Sequence, residues 1–417
     1  MPPITKNHLI HFLLGGTIVA LVLSPFFLSV GMFLLAAVSL IAWNRKAGKY
    51  RISLDRSAIN RLRHWQQYPA LVSLSALFFV VFFSVWGMTE FDYWTDRLRI
   101  KLPFLLLPLL FIALPPMGEK EVRGHLYFLL VFMFLTTSIV LINYGLHFEE
   151  IQINIKRGQP IPMPRNHIRY SLVTALAILG GGYLAAVKYR VFQSVDRWLI
   201  PMLTGLLFAM LHVLAVRTGL LALYAALFVL GVTYAVAKKN YGLLGLTILL
   251  TISTPILAYQ FIPSIKAKVD YVRYDYFKSQ RGEGGDYADA GRVASLQVGW
   301  QLWREHPILG TGAGGLRQAV AEKFEARYSD RAHPLMPHNQ YLYVASSTGI
   351  LGLTVFLVGF LFPLFYRQHY KYPPLLGLYV MLCLVFMIEH TIENSLGAGY
   401  ASLFLLLFLS RLQHERR

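Results

Sequence analysis

Apolar runs broken by short polar stretches fill most of the chain, and about 17–25 apolar residues are what a helix needs to cross a bilayer. Twelve such runs are read, at about 9–25, 27–43, 69–87, 102–115, 125–146, 170–187, 198–215, 218–237, 241–262, 339–366, 374–393 and 397–411. The fourth is short and holds Pro103 and Pro108, and the first two meet at a tight Ser24-Pro25 turn. The pattern predicts an all-α integral membrane protein with about 12 transmembrane helices. Nine fall within residues 1–262 and three within 339–417, the latter ending in a cytoplasmic tail; a partly helical insert occupies 263–338.

Within the insert, Tyr271 to Gly291 is polar and Gly-rich and reads as a mobile stretch. Asp289 then reads as an N-cap, and Val293, Leu296, Trp300 and Trp303 recur at helical spacing up to the stop at Pro307. Gly310 to Gly315 (GTGAGG) forms a turn, and Leu316 to Tyr328 a second helix. The glycines invite a nucleotide-loop reading, but no strand–turn–helix unit surrounds them and no GKS or GKT follows. A structural turn is expected instead.

Composition supports the membrane class: 56% of the 417 residues are hydrophobic and 14% charged, against about a quarter charged in soluble domains. A formal charge of +18 could suggest nucleic acid, yet its distribution points to orientation. With the N-terminus inside, the inner loops and termini hold 20 of the 39 Lys and Arg, the short outer loops 8 and the insert 11. The positive-inside rule compares short loops, so the insert lies outside; the basic loop from Asn44 to Tyr68 is the strongest inner anchor. Neither nucleic acid nor a nucleotide is expected as partner. The single Cys383 lies in an apolar run, which leaves no intramolecular disulfide and no cysteine-rich metal site. Lys6 precedes an apolar run without an obvious cleavage site, so that run reads as the first span.

Several polar residues could carry chemistry at the outer boundary. Arg292 falls in the first turn of the expected helix, where a cation opposes the helix dipole unless an anion is present. The alternative is an exposed arginine in a loop. Arg217 sits in a very short turn between two apolar runs, where ionisable groups face a cavity or snorkel to headgroups among membrane lipids. Arg165, His167 and Arg169 follow a Pro-rich run and could join an outer basic cluster suited to a phosphate or diphosphate. His338, after Pro337, opens the tenth span, and the positive helix end should keep it neutral and able to accept a proton. A solvated or structural histidine is the competing reading. Glu389, His390 and Glu393 make a polar patch at the outer end of the eleventh span, with both carboxylates expected on one face. They could orient a base, hold an arginine or line the mouth of the bundle. No HExxH or similar ligand set occurs, so no metal or cofactor is expected.

Taken together, the spans, the large insert, Arg217-Thr-Gly, Gly291-Arg292, Pro307-Ile-Leu-Gly-Thr-Gly, His338-Asn339 and Thr348-Gly-Ile-Leu-Gly are similar to the bacterial O-antigen ligases of the WaaL type. That family stands beside O-antigen polymerases and protein O-oligosaccharyltransferases. The resemblance implies a metal-independent, inverting glycosyltransferase of lipopolysaccharide biosynthesis in the bacterial cell inner membrane. It would move O-antigen from undecaprenyl diphosphate to a sugar hydroxyl of lipid A–core at the periplasmic face. His338 would then be the base, and Arg217 and Arg292 would hold the diphosphate.

Other readings stay open. The motifs near Arg292 and His338 serve ligase, polymerase and protein oligosaccharyltransferase alike. The single large insert leans towards ligase. A lipid-linked sugar transporter would place polar residues deep in several spans and show inverted repeats, whereas most span centres here are apolar. A structural anchor would not need His338, Arg217 and Arg292 to converge.

Overall fold

A computed structural model describes residues 5–46, 49–192, 194–280, 288–328 and 333–414. The chain is an all-α, multi-pass membrane protein. Each expected apolar run is helical: Lys6–Leu23, Pro25–Leu40, Pro69–Phe82, Phe91–Ala113, Glu119–Leu146, His167–Ala186, Asp196–Leu214, Arg217–Ala237, Tyr241–Phe261, Gln340–Phe365, Pro373–Ile388 and Ser395–His414. Among the described residues, eight helices are long and apolar enough to cross a bilayer, and Pro25–Leu40, Pro69–Phe82 and Pro373–Ile388 are shorter. The helix holding Pro103 and Pro108 starts at Phe91, well before the expected boundary, because its first turns carry Asp92, Arg97 and Lys101 rather than an apolar run.

Local chemistry sets the junctions. Ser24 ends the first helix and caps the second, its Oγ accepting from the Phe27 N–H while Pro25 takes the first helical position. The basic loop folds as a hairpin, Ile41–Lys46 antiparallel to Lys49–Leu54, followed by the Arg56–Arg63 helix. Asp55 caps that helix and pairs with Lys6 at 2.5 Å. Arg61 donates to the carbonyls of Ile112 and Ala113 at 3.1 and 2.6 Å, satisfying the open end of the Phe91–Ala113 helix.

Burial separates centre from rim. The Ser395–Gln413 window is 83% buried and the Tyr241–Phe261 window 6%, so the last helix is the axis of the bundle and the other offers apolar side chains to lipid. Tyr379, Tyr400, Phe104, Phe356, Phe360, Phe386, Phe404 and Phe408 fill the centre.

The insert is more helical than its composition suggests. Pro263–Gln280 is one helix, so residues 271–280 do not form the mobile stretch expected there; Arg281 to Tyr287 lie outside the described residues. Ser264 and Ala267 are buried one turn apart, so a narrow seam of small residues docks the start of this helix. Ala288–Glu305 and Leu316–Arg327 follow, sharing a small core of Ala294, Val298, Leu302, Leu316, Val320 and Phe324 with Tyr343. Between them the turn packs backbone to backbone on a break in the Gln340–Phe365 helix. There the Thr311 N–H donates to the Ser346 carbonyl at 3.0 Å and the Ile350 N–H to the Pro307 carbonyl at 2.8 Å. A Cβ on Gly310 would lie 2.4 Å from the Ser347 carbonyl carbon, so glycine is what permits the contact.

Candidate functional site

That docking places the Ala288–Glu305 helix against the loop before Gln340. Pro337 rests on Gly299, where a Cβ would meet the proline ring at 2.7 Å. Asn339, rather than Pro337 or His338, caps the next helix: its Oδ1 accepts from the Leu342 N–H at 2.9 Å and its amide donates to the Met387 carbonyl at 3.0 Å. His338 therefore stands just before the helix rather than in its first turn. Its N–H donates to Ser295 Oγ at 3.2 Å, and its Nδ1 lies 3.0 Å from the Met336 carbonyl and 3.4 Å from Ser295 Oγ. A carbonyl can only accept, so the contact assigns the proton to Nδ1 and leaves the lone pair on Nε2. Burial holds the imidazole below its ordinary pKa, with Arg292 and Arg169 lowering it further and Glu389 and the Met336 carbonyl opposing. Burial and the neighbouring cations favour the neutral imidazole.

Arg292 is the fifth residue of its helix, which begins at Ala288, one residue before the expected cap at Asp289. It has moved past the open N–H groups of the first turn, so its guanidinium, not its backbone, is what it offers an anion. That guanidinium pairs with Glu389 Oε1 at 2.8 Å. The Pro373–Ile388 helix ends just before Glu389, which is extended, while Thr391–Glu393 forms a separate short turn. The two carboxylates thus diverge instead of sharing a face. Glu393 points inward to Lys101 at 2.5 Å and Gln340 at 2.7 Å, and Arg97 donates to its backbone carbonyl at 2.9 Å. His390 lies edge-on to His338, ring centroids 5.0 Å apart, and stacks on Tyr343. Its pKa falls to about 4, first through burial and then through His338, Arg169 and Arg97, with Glu393 opposing.

A cavity of about 310 Å³ opens beside this group, and Arg217, Arg292, His167 and Lys268 all line it. Arg217 arrives there because Ala215, in the left-handed region at φ 50°, ends one helix and Arg217 starts the next. Ile155, Ile161, Ile168, Leu214, Leu221 and Ile388 make the remaining wall largely apolar. The structure therefore brings Arg217, Arg292 and His167 to one cavity, with Glu389, His338 and His390 directly behind Arg292. Arg169 stands beside the cavity, its guanidinium reaching Asn166 Oδ1 at 3.4 Å and the Thr391 carbonyl at 3.5 Å. Arg165 is elsewhere: it donates to the Leu23 carbonyl at 3.1 Å and braces the first helical pair. Lys268 and Tyr271 are lining residues that sequence reasoning missed, since their segment reads as a polar loop unless the Ser264–Ala267 seam is noticed.

His338, Glu389 and His390 offer ligand atoms within 4.8 Å of one another. Arg292 pairs with one oxygen of that carboxylate and the Arg169 charge acts on the same group, and both oppose a dication there. What the arrangement suits is an anion with an apolar tail: several cations on one cavity, largely apolar walls, and an imidazole next to them.

These features define a multi-pass helical membrane protein with a cationic site at the bundle's edge. A family model described as O-antigen ligase matches residues 202–357, a stretch that holds Arg217, Arg292, His338 and the paired glycine motifs. The match supports the O-antigen ligase superfamily and, with it, a glycosyltransferase-like enzyme acting on lipid-linked glycan. No curated protein matches the chain.

Proposed function

We propose that this protein is an O-antigen ligase, transferring O-antigen polysaccharide from undecaprenyl diphosphate to a sugar hydroxyl of lipid A–core at the periplasmic face of the bacterial inner membrane. In this reading residues 263–338 form the periplasmic part, between spans 1–262 and 339–417. The observation that carries it is the shared cavity: Arg217 and Arg292 beside apolar walls, with His338 one carboxylate away.

The chemistry follows from those positions. The diphosphate sits between Arg217 and Arg292, with His167 and Lys268 beside it and the polyprenyl chain among apolar side chains. Nε2 of His338 takes the proton of the acceptor hydroxyl as its oxygen attacks the anomeric carbon. The bond to the diphosphate breaks on the opposite side, inverting the centre, and the electron pair leaves with the phosphate. Charge on the leaving group grows as that bond breaks, so the guanidinium groups bind the transition state more tightly than the ground state. No metal is required by this scheme. Glu389, His390 and Arg169 shape the charge around the base, while Arg165 and Glu393 serve the scaffold.

The test is transfer in vitro with purified protein, undecaprenyl-diphosphate-linked glycan and lipid A–core, with and without EDTA. Ligated lipopolysaccharide from wild type but not from His338→Ala, undiminished by EDTA, is the expected result. Longer lipid-linked chains without ligated product would assign the site to a polymerase, and a glycosylated protein serine to an oligosaccharyltransferase.

A further inference from the structure

Glu389 has two cations within reach that are never both needed at once. Its side chain is 5% exposed and its Oε1 takes the Arg292 guanidinium at 2.8 Å. The same carboxylate lies with the ring nitrogens of His338 and His390 inside a 4.8 Å group. Arg292 is charged throughout, whereas His338 becomes a cation only after it has accepted a proton.

Resting on the donor and base assigned above, we propose that Glu389 exchanges partners during the reaction: it holds Arg292 while the cavity is empty and serves His338 once a diphosphate ester has drawn the guanidinium away. Arg292 lines the cavity and is 30% exposed at its side chain, so it is the mobile member of the pair; Glu389 is the fixed one. A diphosphate offers the guanidinium a bidentate partner with more charge than one carboxylate, and the pull increases as the glycosidic bond breaks. A buried carboxylate that loses a hydrogen-bonded cation is left under-compensated, which is why an exchange favours a second partner. The imidazolium formed at Nε2 of His338 supplies it. The proton comes from the acceptor hydroxyl, the acceptor oxygen bonds to the anomeric carbon, and the diphosphate departs with the electron pair of the broken bond. The proton on His338 passes to water when product leaves. Arg169 stands close enough to Glu389 for their charges to interact, so the carboxylate is not stranded between the two states.

The groups facing His338 bear on how it titrates. They are Glu389 and His390 from the segment after Ile388, Arg292 and Ser295 from the Ala288–Glu305 helix, Arg169 from the start of the His167–Ala186 helix, and the Met336 carbonyl. Among the described residues Glu389 is the one acid in that set. Removing its charge should matter most in the donor-bound state, where Arg292 no longer screens it.

The experiment uses the full chain in nanodiscs, with farnesyl diphosphate as binding probe and transfer kinetics across pH. Glu389→Gln should bind farnesyl diphosphate several-fold more tightly than wild type, because the Glu389 carboxylate no longer competes for Arg292. Its kcat should fall about tenfold, less than the roughly hundredfold or greater loss expected when the base itself is removed. The acid limb of kcat should move to lower pH, and that of kcat/KM should move less. Glu389→Asp, which keeps the charge, should keep the acid limb near its wild-type place. Weaker probe binding with a parallel fall in kcat and no movement of the acid limb would overturn the exchange and leave Glu389 as a holder of Arg292. Wild-type protein that fails to bind the probe, or full transfer by His338→Ala, would instead remove the donor or base assignment and this proposal with it.

Discussion

Gly349 meets the carbonyl of Ile308 so closely that a Cβ at 349 would stand 2.1 Å from the carbonyl oxygen. Its backbone, at φ 64° and ψ −167°, breaks the Gln340–Phe365 helix in a region open essentially to glycine alone. Through this contact the turn after Pro307, and with it the helix bearing Arg292, is fixed to the helix that follows His338. Gly349→Ala should cost about 1–3 kcal/mol in backbone strain alone, with the clash in addition. Thermal unfolding in nanodiscs and transfer assays should both register it; a variant with wild-type stability and activity would show that the helix break is not needed.

The neutral state of His338 gives a pH prediction with a definite sign. A base must be deprotonated, and burial with Arg292 and Arg169 lowers the imidazole pKa from its ordinary 6.5. The acid limb of kcat/KM, which reports the free enzyme, should therefore lie below that value, with activity retained through neutral pH and lost only in more acid buffer. His338→Ala should lose about a hundredfold to ten-thousandfold in kcat. An acid limb above the ordinary histidine value would contradict the assignment.

Arg217 and Arg165 separate the cavity from its surroundings. Arg217 lines the cavity, whereas Arg165 is committed to the Leu23 carbonyl. Arg217→Ala should weaken polyprenyl diphosphate binding by about 1.5–3 kcal/mol, the worth of a charged hydrogen bond. Arg165→Ala should leave that affinity close to wild type. Titration calorimetry with farnesyl diphosphate reads both; equal losses would mean that Arg165 belongs to the site.

Lys101 and Glu393 form a pair whose side chains are each 3% exposed. Lys101→Met or Glu393→Gln alone should destabilise by about 3–5 kcal/mol, since each leaves its partner charged and buried. The double variant should recover much of that loss. A double-mutant cycle on thermal unfolding decides it, and single losses under about 1 kcal/mol would put the pair among exposed, solvated ones.

The sequence by itself located the apolar helices, because a span's length and hydropathy are local properties set by bilayer thickness. It also singled out Arg217 and His338, as polar groups at the ends of apolar runs, and Arg292, as a cation near the start of a helix within the polar insert. Helix boundaries in the polar parts were less legible: Pro263–Gln280 docks through a two-residue seam that average composition hides, and the Phe91–Ala113 helix extends past its apolar run. Partnership was decided by the tertiary structure alone. Glu389 and Glu393 are four residues apart, and a continued helix would have aligned them; the end of that helix at Ile388 sends one to Arg292 and the other to Lys101. Arg165 and His167 are two residues apart, yet the first braces Leu23 and the second lines the cavity. Local pattern records how each residue is exposed along its own element. Which charge faces which is fixed by packing between elements distant in sequence, and only the assembled bundle supplies that.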